Sequence, residues 1–86
     1  AHDNVRETYS LYEVGKAQIV SGQEEEGLAT LERVLDIVTE SDSKDFDFII
    51  EIERKMATVL HKLGRDNEAK EIERRVAAVA EIVEED

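Results

Sequence analysis

Few residues in this chain have the types and spacing that catalysis or metal binding requires. Histidine occurs only at His2 and His61, and neither stands at a metal-ligand spacing from the other or from a cysteine, which the chain lacks. The sequence contains no glycine-rich phosphate loop and no nucleophile elbow. We therefore expect no enzymatic activity, no bound metal and no other cofactor.

A short acidic segment comes nearest to a metal site. Asp42, Asp45 and Asp47 are spaced loosely like calcium-loop ligands, but the segment lacks the loop's glycine and its correctly spaced final glutamate. Acidic residues are also common where a helix begins, because their carboxylates accept hydrogen bonds from the first backbone N–H groups. We interpret these residues as the start of a helix.

Charge is unevenly distributed along the chain. The net charge is −11, from 22 acidic and 11 basic residues. Such acidity argues against binding to nucleic acids or to anionic membranes, and it favours solubility. Residues 54–75 are the exception, because they hold seven basic and four acidic residues. Cations are thus concentrated in one part of an acidic protein.

Length and composition limit the size and setting of the domain. Eighty-six residues make a single small domain, over 1–86, and such a chain buries only about 60% of its unfolded surface. The chain has no cysteine, so no disulfide can stabilise it. The longest apolar run, from Val76 to Ala80, is far short of the roughly 20 residues of a membrane span. With no signal-peptide pattern, we expect a cytoplasmic protein.

The periodicity of apolar residues predicts an all-α fold. These residues recur at spacings of three and four and do not alternate, which indicates amphipathic helices. We predict four helices, running from about Asn4 to Ser21, Glu24 to Thr39, Asp45 to Leu63 and Asn67 to Glu84. Leu31 and Met56 lie in the middle of apolar stripes, so we expect both in the core.

Glycines and short polar residues mark the predicted helix ends. Gly22 and Gly64 follow the first and third helices, where a residue with positive φ commonly ends a helix. Asp3 and Asp66 are the expected N-caps of the first and fourth helices. Residues 41–44 form the only clear linker.

The two halves of the chain repeat one pattern with an offset of 42 residues. The first copy consists of Val14, Gly15, Gly22, Glu26, Gly27, Leu31 and Val34, and the second of Met56, Ala57, Gly64, Glu68, Ala69, Glu73 and Val76. Small residues at Gly15, Gly27, Ala57 and Ala69 would let the two helices of a hairpin approach closely. The pattern predicts two helical hairpins, over about 4–40 and 44–84.

These spacings resemble the tetratricopeptide repeat, in the long 42-residue form found in kinesin light chains and bacterial scaffold proteins. Glu53 and Glu73 depart from the family pattern, because large apolar residues are usual at their positions, and Thr39 stands where a proline is frequent. The resemblance implies a short α-solenoid of two stacked antiparallel hairpins. An up-down four-helix bundle is the alternative.

The resemblance also implies a binding groove, lined in this family by the first helix of each hairpin. The corresponding residues here are Tyr9, Tyr12, Lys16, Ile19, Arg54, Thr58, His61 and Lys62, with Glu51 and Lys55 nearby. Tyrosines beside cations suit a protein or peptide partner that offers an aromatic contact and a carboxylate. We expect an acidic side chain or a C-terminal carboxylate to contact Lys16, Arg54 or Lys62.

Two alternatives remain open. The cations can be ordinary solvated residues with local partners, since Glu51–Lys55 and Glu71–Arg75 are spaced for pairing along a helix. The chain can also have a structural role, because the fourth helix has more apolar residues than one face needs. Its candidate assembly surface consists of Ala77, Ala78, Ala80 and Ile82, which would meet a second copy in a homodimer or further repeats in a longer protein.

Overall fold

The computed structural model describes the backbone of residues 5–41 and 45–84, and the side chains of residues 6–41 and 45–82. These ranges contain four α-helices and no strand: α1 (Val5–Val20), α2 (Glu24–Glu40), α3 (Phe46–Lys62) and α4 (Asp66–Glu84). The predicted all-α fold is confirmed, and each helix begins and ends within one residue of its expected bounds. The expected cap Asp3 and linker positions 42–44 lie outside the described residues.

Identical turns connect the helices of each pair. Gly22 has a φ of 95° and Gly64 a φ of 81°, and no other described residue has a positive φ. The residue after each glycine donates its N–H to the carbonyl five residues earlier, at 2.8 Å in both turns. This bond satisfies a carbonyl that the helix end leaves unpaired. The predicted role of both glycines is confirmed.

The start of α3 agrees with the interpretation of the acidic segment, and the start of α4 differs from its prediction. Asp45 caps α3, where its Oδ1 accepts a hydrogen bond from the backbone N–H of Phe48 at 3.2 Å. Asp66 does not cap α4 but is its first residue, and its carboxylate lies 2.7 Å from Nδ1 of His61.

The four helices pack in chain order. Tight turns make α1 and α2 one antiparallel hairpin and α3 and α4 another, and the hairpins meet where α2 packs against α3. Between their described residues, α1 and α4 form no packed interface, and the molecule is flat, with extents of 34 × 29 × 15 Å. A closed bundle would bring the first and last helices together. The arrangement is therefore two stacked hairpins.

One hydrophobic core runs through both hairpins. It contains the predicted core residues, of which Leu31 is fully buried and Met56 is 4% exposed. Glu53 is also buried, at 6% exposure, although the family pattern suggests an apolar residue there. Its Oε2 lies 3.4 Å from Nη2 of Arg75, so the buried carboxylate has a cationic partner on α4.

The helices of the first hairpin approach so closely that no side chain fits at the position of Gly27. A Cβ atom added to Gly27 would lie 2.5 Å from Cγ1 of Ile19 and 2.8 Å from the carbonyl oxygen of Gly15. In the second hairpin the equivalent positions, Ala57 and Ala69, are buried. The predicted close approach at the small residues is confirmed.

The predicted local ion pairs of α3 and α4 are wrong. Glu71 pairs with Arg74 at 3.2 Å, which leaves Arg75 to reach Glu53 on α3. The Glu51–Lys55 pair does not form among the described residues, because Glu51 binds the hydroxyl of a tyrosine on α1 instead. Glu51 and Arg75 thus bind partners on other helices, whereas Glu71 pairs within α4 with a different arginine from the one expected.

Candidate functional site

Three residues of α1 place their side chains along a groove and a hollow that adjoins it. Tyr9, Tyr12 and Lys16 are three and four residues apart, so they share one face of the helix. Tyr9 is 45% exposed and Tyr12 only 3% exposed. The Nζ of Lys16 lies 4.7 Å from the centroid of the Tyr12 ring and 3.2 Å from Oε2 of Glu13. The lysine is therefore held over the aromatic ring.

The exposed face of α3 forms the floor of the groove. Asp47, Glu51, Arg54 and Thr58 follow one another at spacings of four, three and four residues. The Thr58 hydroxyl donates to the carbonyl oxygen of Arg54 at 3.0 Å. These four positions therefore place two carboxylates, a guanidinium and a hydroxyl in one row.

The groove has a volume of about 510 Å³ and is bordered by α1, α3 and the end of α4. Its lining residues are Tyr12, Lys16, Asp47, Ile50, Glu51, Arg54, Lys55, Thr58 and Ala80. Four of the predicted groove residues, Tyr12, Lys16, Arg54 and Thr58, are thus brought together. Tyr9 lies in an adjoining hollow, which also contacts Tyr12 and Lys16.

A hydrogen bond across the groove fixes the position of Tyr12. Its hydroxyl donates to Oε2 of Glu51 at 3.0 Å. Burial raises the pKa of the Tyr12 phenol, and the hydrogen bond to the carboxylate raises it further. The raised pKa keeps the Tyr12 phenol protonated at neutral pH, so it can donate to Glu51 there.

Two cations of the groove have no partner within the described residues. Arg54 and Lys55 are exposed and form no ion pair there, whereas most other cations of α3, α4 and the turn between them are bound. Lys62, for example, lies 3.2 Å from Oε2 of Glu24. The charge of Arg54 and Lys55 is therefore available to a ligand.

The structure places three other predicted groove residues elsewhere. Ile19 and His61 occupy equivalent positions of the repeat, 42 residues apart, and each turns toward the second helix of its own hairpin. Ile19 packs at Gly27, and Lys62 turns toward α2 through its pair with Glu24. Ile19, His61 and Lys62 therefore do not line the groove between α1 and α3.

His61 instead links α3 to α4 and to the turn between them. Its Nδ1 lies 2.7 Å from Asp66 Oδ1, and its Nε2 lies 3.0 Å from Glu73 Oε2. The pKa of the imidazole is raised above 6.5, mainly by the hydrogen bond to Asp66 and next by the hydrogen bond to Glu73. Two carboxylate acceptors favour the doubly protonated ring, so the histidine acts as a charged clamp.

The predicted assembly surface of α4 divides into two parts. Ala77, Ala78 and Ile82 are exposed, with Ile82 at 72%. Ala80 is half-buried and lines the groove. Only three of the four residues therefore remain available to a second copy or a further repeat.

Several residues that line the site were not predicted from the sequence, and Asp47 and Phe48 are the most prominent. Asp47 lines both the groove and the hollow, and Phe48 packs beneath the tyrosines. Asp47 lies four residues before Glu51 and seven before Arg54, so it shares their helix face and could have been predicted from that spacing. Phe48 gave no comparable signal, because an aromatic residue at the start of an apolar stripe normally belongs to the core.

The chain was also compared with known proteins. No family model, curated protein or solved structure matches it. Within the described residues, no helix has the length and apolar character needed to cross a membrane. The same residues contain no group of three or more histidine, cysteine or acidic side chains placed to hold a metal ion.

Proposed function

We propose that this chain is a protein-interaction module that binds a peptide segment of a partner in the groove between α1 and α3. The hairpins are proposed to be tetratricopeptide-like units. Support comes from the identical glycine turns 42 residues apart and from the buried small residues at the helix contacts. The proposal assigns binding to the groove and no catalysis.

The unpaired cations carry the proposal. Arg54 and Lys55 project into a groove that also contains Lys16, in a protein with a net charge of −11. A guanidinium binds a carboxylate through two parallel hydrogen bonds, which gives strength and orientation. We therefore propose that the bound segment is acidic, through Asp or Glu side chains or its C-terminal carboxylate.

A peptide selection with charge-reversal variants tests this function. Peptides enriched from a random library are expected to carry acidic groups, and Arg54→Glu should weaken their binding by about tenfold or more. Arg33→Glu, which places the same charge change on α2, is the matched control and should have a much smaller effect. Binding should also weaken as salt is raised. Equal effects of the two variants, or no salt dependence, would contradict the proposal.

A second candidate function is self-assembly through α4, which the exposure of Ile82 at 72% supports. The neighbouring Ala77 and Ala78 are small and exposed, so another helix could approach closely. Sedimentation over a range of concentrations tests this function, with Ala78→Glu as the disrupting variant. A strictly monomeric unmodified chain would exclude association of copies through this surface.

A further inference from the structure

A hollow with the opposite charge adjoins the groove, at the N-terminal end of α3. It has a volume of about 350 Å³ and is lined by Tyr9, Tyr12, Glu13, Lys16, Asp45, Asp47, Phe48 and Glu51. Four carboxylates here accompany one ammonium group, whereas the groove has three cations and two carboxylates. The binding surface as a whole therefore has an acidic end and a basic end.

Three aromatic rings form one side of this hollow. The centroids of Tyr9 and Phe48 are 4.6 Å apart with the rings tilted by 34°, and Tyr12 meets Phe48 edge-on at 5.2 Å. Phe48 is buried beneath the tyrosines, and Tyr9 is a little under half-exposed. Aromatic faces carry negative partial charge and attract cations.

The chain itself already binds one cation in this way. Lys16 lies over the ring of Tyr12 and beside the carboxylate of Glu13. The hollow also has a ring and a carboxylate, from Tyr9 and Asp47, that no cation among the described residues contacts.

We propose that this hollow binds a lysine or arginine side chain of the peptide that occupies the groove. Asp47 and Arg54 are seven residues apart on α3, a rise of about 10 Å. An extended peptide advances about 3.3 Å per residue, so the partner carries its basic residue about three positions from its acidic group. Only the identity of the occupant rests on the proposed function of the groove.

Small cationic probes test the hollow without the peptide. The tyrosine ring resonances of the full chain are followed by NMR during titration with N-acetyl-arginine methylamide, N-acetyl-lysine methylamide or the uncharged N-acetyl-norleucine methylamide. Both cationic probes should shift the Tyr9 resonances saturably, with about tenfold tighter binding than the norleucine compound. Equal binding of the norleucine compound, or no saturable shift, would overturn the proposal.

Variants identify the groups that bind the probe. Tyr9→Ala, followed on the Tyr12 resonances, and Asp47→Asn should each weaken arginine-probe binding by about fivefold. Glu32→Gln removes the same charge from an exposed position of α2 and should have little effect. Equal weakening by Asp47→Asn and Glu32→Gln would show a diffuse charge effect and overturn the site.

The two proposals fail separately. Arg54→Gln should leave arginine-probe binding undiminished, although it weakens an acidic peptide. If acidic peptides ignore Arg54 while the probe still requires Tyr9 and Asp47, the function of the groove is wrong and the cation site stands. If the probe does not bind while acidic peptides depend on Arg54, the cation site is wrong and the groove stands.

Discussion

Replacement of Gly27 by alanine tests whether close helix approach sets the geometry of the first hairpin. In an open helix interior this change stabilises by about 1 kcal/mol, because alanine loses less backbone entropy than glycine. Here the added methyl group would lie 2.5 Å from Cγ1 of Ile19 and 2.8 Å from the carbonyl oxygen of Gly15. Helix propensity therefore predicts that Gly27→Ala raises the free energy of unfolding, and packing predicts that it lowers it.

The distances decide which effect is larger. Carbon atoms in contact are normally about 3.5–4.0 Å apart, so the side chain of Ile19 has to move by about 1 Å. The carbonyl of Gly15 belongs to the backbone of α1, so relief there requires the two helices to separate. Overpacking of this kind costs about 1–3 kcal/mol. We expect a net loss of about 1 kcal/mol in the free energy of unfolding.

Urea denaturation followed by circular dichroism measures this loss. Ala17→Gly, at an exposed position of α1, is the matched control, because it reports the helix-propensity difference without a packing change. The double variant Ile19→Ala/Gly27→Ala should show favourable coupling, since it removes one of the two clashes. If Gly27→Ala stabilises the chain as much as Ala17→Gly destabilises it, the helices are not in limiting contact.

Three further changes test the turn, the core and the clamp. Gly64→Val should cost more than about 1 kcal/mol in denaturation, because its φ of 81° suits no β-branched residue; a neutral result contradicts the turn. Met56→Ala should cost about 2–5 kcal/mol by the same assay, and a loss below about 1 kcal/mol would place Met56 at the surface. The raised pKa of His61 means that its stabilisation is present below pH 6.5 and lost as the pH rises through the folded-state pKa. His61→Gln should therefore reduce stability more at about pH 6 than at about pH 9, and an equal loss at both would contradict the clamp.

The fold was predictable because its signals are local. A helix is defined by residues three and four apart, so the spacing of apolar residues located all four helices. The φ required after each helix singles out glycine, which located the turns at Gly22 and Gly64. The order of packing also followed, because short connections make consecutive helices neighbours.

The site was less predictable because its partners are far apart in the chain. Tyr12 and Glu51 are 39 residues apart, and Arg75 reaches Glu53 across 22 residues. A helical wheel gives the relative directions of side chains but not the rotation of the helix against its neighbours. The buried face of α3 also includes Glu53, which the apolar pattern of the chain does not predict.

Chemical-shift mapping of a selected acidic peptide on the isotopically labelled chain tests the central claim most directly. The account predicts that the largest shifts occur at Tyr12, Lys16, Arg54 and Thr58, which line the groove between α1 and α3. Largest shifts at Ala78 and Ile82 on the outer face of α4, with the groove residues unchanged, would contradict it.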